Sequence, residues 1–192
     1  MYNITNIKNN ILNINNSDID SILVDNEIPS TVMIHDSSYE FLKIASGRAH
    51  YRLLMYISRL FNNVKIFDVG THAGRSAISL SVNKTNTVIS YDVIQVLDKN
   101  PIIDNVSFVL GDSRKDVNLI KSPLIMFDVN HDGKYEELFY DHLHKIHWKG
   151  ILILDDIHLN EHMKKFWQNI IEEKHDITSI GAWAGTGLVV FE

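Results

Sequence analysis

The chain has 192 residues, of which 45% are hydrophobic and 22% are charged, as in an ordinary globular protein with one sizeable core. Its net charge of −6 and the lack of a concentrated basic patch argue against a nucleic-acid partner. The chain has no cysteine, which excludes disulfides, thiolate catalysis and cysteine-based zinc sites and is compatible with a reducing cytoplasm. No apolar run reaches the roughly 18 residues of a membrane span, so no membrane association is expected.

Residues 1–37 make a polar opening segment, with eight asparagines among the first 26 residues. The simplest interpretation is a loosely ordered arm, and the alternative is an arm that binds a partner. Over residues 38–62 apolar residues recur at helical spacing, which predicts two helices or one helix broken at Gly47. We therefore divide the chain into an N-terminal arm (1–37) and one domain (38–192).

Six short apolar runs follow, separated by polar stretches with a helical pattern. Near-continuous apolar strands between helices are typical of a parallel sheet covered on both faces, so the predicted fold is α/β, doubly wound and Rossmann-like. A weaker run at Ile177–Ile180 reaches the last run through a Gly-Thr-Gly turn without a helix, which predicts a final antiparallel hairpin. The six runs are Val64–Val69, Thr87–Tyr91, Val106–Leu110, Leu124–Val129, Ile151–Leu154 and Leu188–Phe191.

The segment Val64–Ser81 predicts a strand, a tight glycine turn and the start of a helix. Gly70 and Gly74 would let a ligand approach bare backbone and the free N–H groups of the helix start. Their spacing is G-x-x-x-G and not the G-x-G-x-x-G of pyrophosphate-binding loops, which favours a nucleoside other than NAD. The carboxylate of Asp68 at the strand tip suits a cationic amine or a hydroxyl better than a phosphate.

The second and third strands also end in carboxylates. Asp92 follows the second strand and is placed to accept hydrogen bonds from ribose hydroxyls. Asp112 follows the third strand, between Gly111 and Ser113, where a carboxylate could hold an exocyclic amine such as that of adenine. Because the tips of parallel strands gather at one edge of the sheet, these groups are expected at one site.

The fourth and fifth strands continue the series. Asp128 ends the fourth strand and is followed by His131, and Asp155 and Asp156 end the fifth. One acidic strand end is commonly a turn residue or a helix cap, but five in succession favour a binding site.

The ordered series DVGTHAGRS, YDV, GDS, FDVNH and LILDD resembles the class I S-adenosylmethionine-dependent methyltransferases, closest in pattern to the small O-methyltransferases. The resemblance covers residues 64–192 and includes the final hairpin. It implies S-adenosylmethionine as cofactor and a methyl group moved to an oxygen of a small-molecule acceptor. The methionine part of the cofactor would lie at the first strand tip, the ribose at the second and the adenine at the third. The cofactor-binding residues so implied are Asp68, Gly70, Thr71, Gly74, Ser76, Asp92, Val93, Gly111, Asp112 and Ser113.

The candidate catalytic residues are His131 and Asp128. His131 lies just outside the fourth strand tip, where it could act as general base for a hydroxyl acceptor; a surface histidine is the alternative. A divalent cation is the other hypothesis, because Asp128, Asp155 and Asp156 offer hard oxygen ligands suited to Mg²⁺, Mn²⁺ or Ca²⁺.

Two resemblances bear on that cation in opposite directions. Cation-dependent catechol-type O-methyltransferases look similar here, but they carry Asn where this chain has Asp156 and lysine where it has His131. The stretch DVNHDGKYEEL also resembles a broader methyltransferase group that need not bind metal.

In small O-methyltransferases the helices before the first strand often shape the acceptor site, which makes Arg48, His50, Tyr51 and Arg52 candidates for it. Paired arginines would suit an anionic acceptor. Two other functions stay open: a non-catalytic binding or scaffold module with this fold, and another nucleoside-cofactor enzyme such as a dehydrogenase. A homodimer is compatible with the sequence.

Overall fold

The computed structural model describes residues 2–28, 42, 45–95 and 103–192, with only the backbone described at 25 and 45–48. Most of the predicted helical segment before residue 45, and the side chain of Arg48, lie outside the described residues.

Seven strands form one sheet in the order β3-β2-β1-β4-β5-β7-β6. The strands β1 to β5 pair in parallel with their neighbours, and β7 runs antiparallel to both β5 and β6. This arrangement confirms the doubly wound α/β fold and its antiparallel C-terminal hairpin. The strands are β1 (Lys65–Val69), β2 (Thr87–Asp92), β3 (Val106–Leu110), β4 (Leu124–Phe127), β5 (Gly150–Asp155), β6 (Glu173–Asp176) and β7 (Thr186–Phe191).

Helices cover both faces of the sheet because successive strand residues point to opposite sides. Ile66 faces a core shared with α1, α2, α4 and α5, whereas Phe67 faces a second core shared with α6 and α7. No helix within the described ranges is long and apolar enough to cross a bilayer. The helices are α1 (Ile4–Leu12), α2 (Asn16–Asp20), α3 (Val24–Glu27), α4 (Ala45–Ser58), α5 (Arg75–Leu80), α6 (Lys134–Lys145) and α7 (Glu161–Asn169).

The predicted strand at Ile177–Ile180 is wrong. The strand before β7 is β6, and Thr178–Ile180 form a single 3-10 turn. The four residues of β6 are Glu-Lys-His-Asp. This strand is at the edge of the sheet, and an edge strand can carry charged side chains because one of its sides faces solvent. Ile177 and Ile180 lie at this turn, and their side chains are buried in the hydrophobic core. Their hydrophobicity therefore reflects burial in the core and not a strand.

Three short helices, α1 to α3, occupy most of residues 4–27, so this part of the Asn-rich arm is not loosely ordered. Ile7 and Ile11 are buried against the sheet, and they lie four residues apart, on one face of α1. Two of the asparagines cap helices: the side chain of Asn3 accepts a hydrogen bond from the backbone of α1, and Asn15 forms a capping box with Asp18. The polar composition thus hides a short amphipathic pattern, while the division of the chain at residue 37 stays a prediction.

Candidate functional site

The site lies where the winding of the sheet reverses, between β1 and β4, at the carboxyl ends of the strands. Ligands of open α/β sheets bind in the crevice at this position. A cavity of about 520 Å³ opens there, and it is lined by residues that follow β1, β2, β3, β4 and β5. Ten of the fourteen predicted site residues line it: Gly70, Thr71, Ser76, Asp92, Val93, Gly111, Ser113, Asp128, His131 and Asp156.

Gly70 brings the first loop directly against the end of β4. A Cβ atom built on Gly70 would lie 1.5 Å from the carbonyl oxygen of Asp128, and its φ of +105° is one that side chains rarely allow. Gly74 also has a positive φ, of +74°, and is the N-terminal cap of α5. Gly74 is absent from the cavity lining and shapes the turn that presents Thr71 and Ser76.

Asp68 lies behind this loop and does not line the cavity. Its Oδ2 accepts a hydrogen bond of 2.6 Å from the Ser90 hydroxyl, which lies 2.7 Å from the hydroxyl of Thr71. Burial raises the pKa of Asp68 to about 6. Asp68 therefore supports the loop through Ser90 and Thr71. It does not reach the cavity, where contact with the cofactor was predicted.

Asp92 lies at the cavity wall, as the ribose prediction requires. Its two carboxylate oxygens accept hydrogen bonds of 2.9 Å from the backbone N–H groups of His72 and Ile94. Because each carboxylate oxygen can accept more than one hydrogen bond, Asp92 keeps capacity for a ligand hydroxyl.

The third strand tip differs from the prediction for adenine. Gly111 and Ser113 line the cavity, but Asp112 does not. The carboxylate of Asp112 pairs with the guanidinium of Arg114 at 2.7 Å and accepts a hydrogen bond of 3.1 Å from the Tyr135 hydroxyl. Hydrogen bonding to Arg114 lowers the pKa of Asp112 to about 2. Asp112 therefore orders this corner of the site, where Ser113 is the lining residue with a hydroxyl.

His131 lies between the fourth and fifth strand tips. Its Nε2 atom is 3.1 Å from Oδ2 of Asp156 and 3.4 Å from Oδ1 of Asp128. Its backbone N–H donates to Oε1 of Glu136 at 2.9 Å, and its carbonyl oxygen accepts from Nδ2 of Asn160 at 2.9 Å. The imidazole is thus held within reach of two carboxylates by hydrogen bonds to α6 and to the cap of α7.

Asp155 lies near these carboxylates but is paired with a different histidine. Its Oδ1 lies 3.5 Å from Nδ1 of His50, and neither residue lines the cavity. Burial raises the pKa of Asp155 to about 7 and lowers the pKa of His50 to about 4. Partial burial and the carboxylates of Asp155 and Asp156 also raise the pKa of Asp128.

The predicted metal site of three aspartates does not fit this arrangement. In the described part of the chain, no three His, Asp or Glu side chains come together as metal ligands would. Asp128 and Asp156 both face His131, while Asp155 is beside His50. We therefore derive no chemistry through a metal ion.

Sequence reasoning missed several residues of the cavity wall, among them Arg75, Tyr91 and Tyr135. Arg75 is the first residue of α5 and forms a hydrogen bond with the Tyr51 hydroxyl. Its position directly after Gly74 in the turn was an available signal, because helical side chains are tilted toward the N-terminus of the helix, where a ligand would lie. Tyr91 stacks on Phe67 with the ring planes 3° apart, so its position depends on the core.

The candidates for an anionic acceptor are distributed differently from the prediction. Tyr51 lines the cavity, whereas His50 is buried beside Asp155. The guanidinium of Arg52 lies 4.0 Å from Asp20 and is not part of the cavity wall. The position of Arg52 therefore does not support an anionic acceptor, and the side chain of Arg48 lies outside the described residues.

Sequence comparison matches the chain to no protein-family model and to no curated protein. Solved structures of methyltransferases, by contrast, match over nearly the whole chain. The O-methyltransferase TomG from Streptomyces achromogenes, solved with S-adenosylmethionine (SAM), has a TM-score of 0.61 and 13% identity, with 100% of both chains covered. A methyltransferase from Podospora anserina bound to S-adenosylhomocysteine (SAH) has a TM-score of 0.60 and 12% identity, covering 100% of this chain and 97% of that one.

A putative caffeoyl-CoA O-methyltransferase from Staphylococcus aureus has a TM-score of 0.59 and 14% identity, covering 98% of this chain and all of that one. These matches extend from the sheet to the N-terminal helices. The chain has the Rossmann-like fold of SAM-dependent O-methyltransferases.

Proposed function

We propose that the protein is a SAM-dependent methyltransferase that moves a methyl group to an oxygen of a small-molecule acceptor. One observation carries the proposal. A single cavity at the switch point of the sheet is lined by the glycine turn after β1, by the carboxylate of Asp92, and by His131 with Asp128 and Asp156. Structures with the same fold bind SAM or SAH, which supports this choice of cofactor.

The lining residues suggest the direction in which the cofactor would lie. The bare backbone at Gly70 and the hydroxyls of Thr71 and Ser76 would hold its amino-acid part, with the Arg75 guanidinium for its carboxylate. Asp92 would accept hydrogen bonds from the ribose, and Ser113 would lie beside the adenine. When bound, SAM supplies an electrophilic methyl group on a sulfonium.

His131 is the proposed general base. An acceptor hydroxyl held beside the ring would give its proton to Nε2, since Nδ1 is buried, and positioning of the two reactants would supply much of the rate. The carboxylates of Asp128 and Asp156, 3.4 and 3.1 Å from Nε2, would stabilise the imidazolium that forms. Because both carboxylates are near the reacting position, a neutral hydroxyl acceptor fits better than an anionic one.

Calorimetry with SAM, SAH and NAD tests the proposed cofactor. We expect micromolar binding of SAM and SAH and none of NAD. Asp92→Ala should weaken SAH binding by about 10- to 100-fold, since hydrogen bonds to a charged group contribute about 1.5–3 kcal/mol. Circular dichroism of each variant would show whether it is folded.

Glu161→Ala is the matched control, because Glu161 is an acidic residue with an 88% exposed side chain in the first turn of α7, outside the cavity wall. Its SAH affinity should equal that of the wild type. Absence of SAM and SAH binding to the folded wild type would refute the proposed function, and an unchanged affinity in Asp92→Ala would refute the ribose assignment.

A further inference from the structure

We infer that the His131 imidazole takes the place of a bridging divalent cation between Asp128 and Asp156, so that the site holds no resident metal ion. This inference about the ring holds whatever reaction the protein catalyses. Its corollary, that methyl transfer needs no metal ion, rests on the proposed function.

Nε2 of His131 lies close to two carboxylates. This one ring nitrogen is within ion-pair distance of carboxylates from two neighbouring strands, at 3.1 Å from Asp156 and 3.4 Å from Asp128. A bridging cation would need an oxygen of each of these carboxylates at about 2.0–2.6 Å. The imidazole therefore competes directly with a cation for these two carboxylates.

Strained and hydrogen-bonded backbone holds the His131 ring beside these two carboxylates. His131 and Asp156 have φ values of +57° and +58°, which residues other than glycine seldom adopt. Such conformations persist where surrounding structure enforces them, and they concentrate at functional sites. Here Glu136 and Asn160 bind the backbone N–H and carbonyl of His131. A cation would have to displace a side chain whose backbone is fixed on both sides.

The side-chain ligands of the described residues also do not converge on one point. No three of their His, Asp and Glu side chains are grouped as the ligands of one metal ion would be. Asp155, the third predicted ligand, lies 3.5 Å from His50 and outside the cavity wall. Two carboxylates that already share a ring nitrogen make a poor cation site.

Titration with Mn²⁺, followed by the electron paramagnetic resonance signal of the free ion, tests this inference without any acceptor. The folded wild type, with or without SAH, should bind no Mn²⁺ specifically up to millimolar concentration. His131→Ala removes the ring nitrogen that lies between the two carboxylates and should bind Mn²⁺ at least about tenfold more tightly than the wild type, because both carboxylates then become accessible to the cation. The double variant His131→Ala/Asp156→Asn should lose that gain.

His144→Ala is the matched control, because His144 also pairs with a carboxylate, Glu172 at 3.0 Å, on the surface at α6. It should leave Mn²⁺ binding at the wild-type level. Should His131→Ala fail to fold, His131→Asn removes the imidazole with a smaller change in volume and polarity.

Specific Mn²⁺ binding to the wild type would overturn the inference. A folded His131 variant without any gain would also overturn it, since the ring would then not be what excludes the cation. SAH binding by calorimetry is measured on the same samples, so failure of the proposed function would be recognised separately.

Discussion

Asp68 shows at the scale of one residue how burial changes a predicted role. The side chain has no solvent exposure, and burial raises its pKa to about 6, above an ordinary value near 3.8. The folded protein therefore binds this proton more tightly than the unfolded chain does. The stability that follows is fully present below about pH 4 and is lost as the pH rises through about 6.

Replacing Asp68 with Asn should remove this pH dependence. When the pH rises from 5 to 8, the free energy of unfolding of the wild type should fall by about 1–2 kcal/mol more than that of Asp68→Asn. Urea unfolding at both pH values measures the difference, and Asp104→Asn, at an exposed aspartate, serves as control. Equal losses in the wild type and in Asp68→Asn would show that Asp68 has no raised pKa.

The glycine turn after β1 packs closely against the end of β4, so this contact depends on two elements of the fold. A Cβ atom on Gly70 would lie 1.5 Å from a backbone oxygen of Asp128, and backbone cannot move aside as a flexible side chain can. We expect Gly70→Ala to lower the free energy of unfolding by about 3 kcal/mol or more and to abolish SAH binding. Chemical unfolding and calorimetry measure the two effects.

Gly111→Ala is the control at another strand tip of the same cavity. A Cβ atom there would have no heavy atom within 4 Å, and the stability should change by no more than about 0.5 kcal/mol. Similar destabilisation by both substitutions would mean that the close packing of the first loop on β4 is not what requires glycine.

At the scale of the whole molecule, the first two helices, α1 and α2, share one core with the sheet. Ile11 of α1 is fully buried in the cluster that contains Ile66 and Leu124, and Lys8 forms a salt bridge with Glu173 of β6. Ile11→Ala should therefore cost about 2–4 kcal/mol of global stability within a single unfolding transition.

Leu12→Ala, one residue further along α1, is the matched control because Leu12 is 37% exposed. It should cost less than about 1 kcal/mol. If Ile11→Ala released only the N-terminal segment to proteolysis and left the main transition unchanged, α1 would be an appendage and not part of the core.

The sequence by itself determined the fold and the edge of the sheet at which the cavity lies. Alternating apolar runs and helical stretches identified the parallel sheet, and the spacing of Gly70 and Gly74 identified the loop after β1. These are local patterns of period and chain order, and strand tips of a parallel sheet must meet at one edge. The charged edge strand β6 escaped this reasoning, because its backbone pairs with β7 without an apolar run.

Only the tertiary structure decided which of the acidic tips face the cavity. Asp92, Asp128 and Asp156 line it, whereas Asp68 is buried behind a loop and Asp112 is paired with Arg114. Tertiary packing also brought Tyr51 and Arg75, from separate helices, into the cavity wall. The direction of a side chain at a strand tip depends on the loops and helices that pack around it, and this information is not contained in the spacing of residues along the chain.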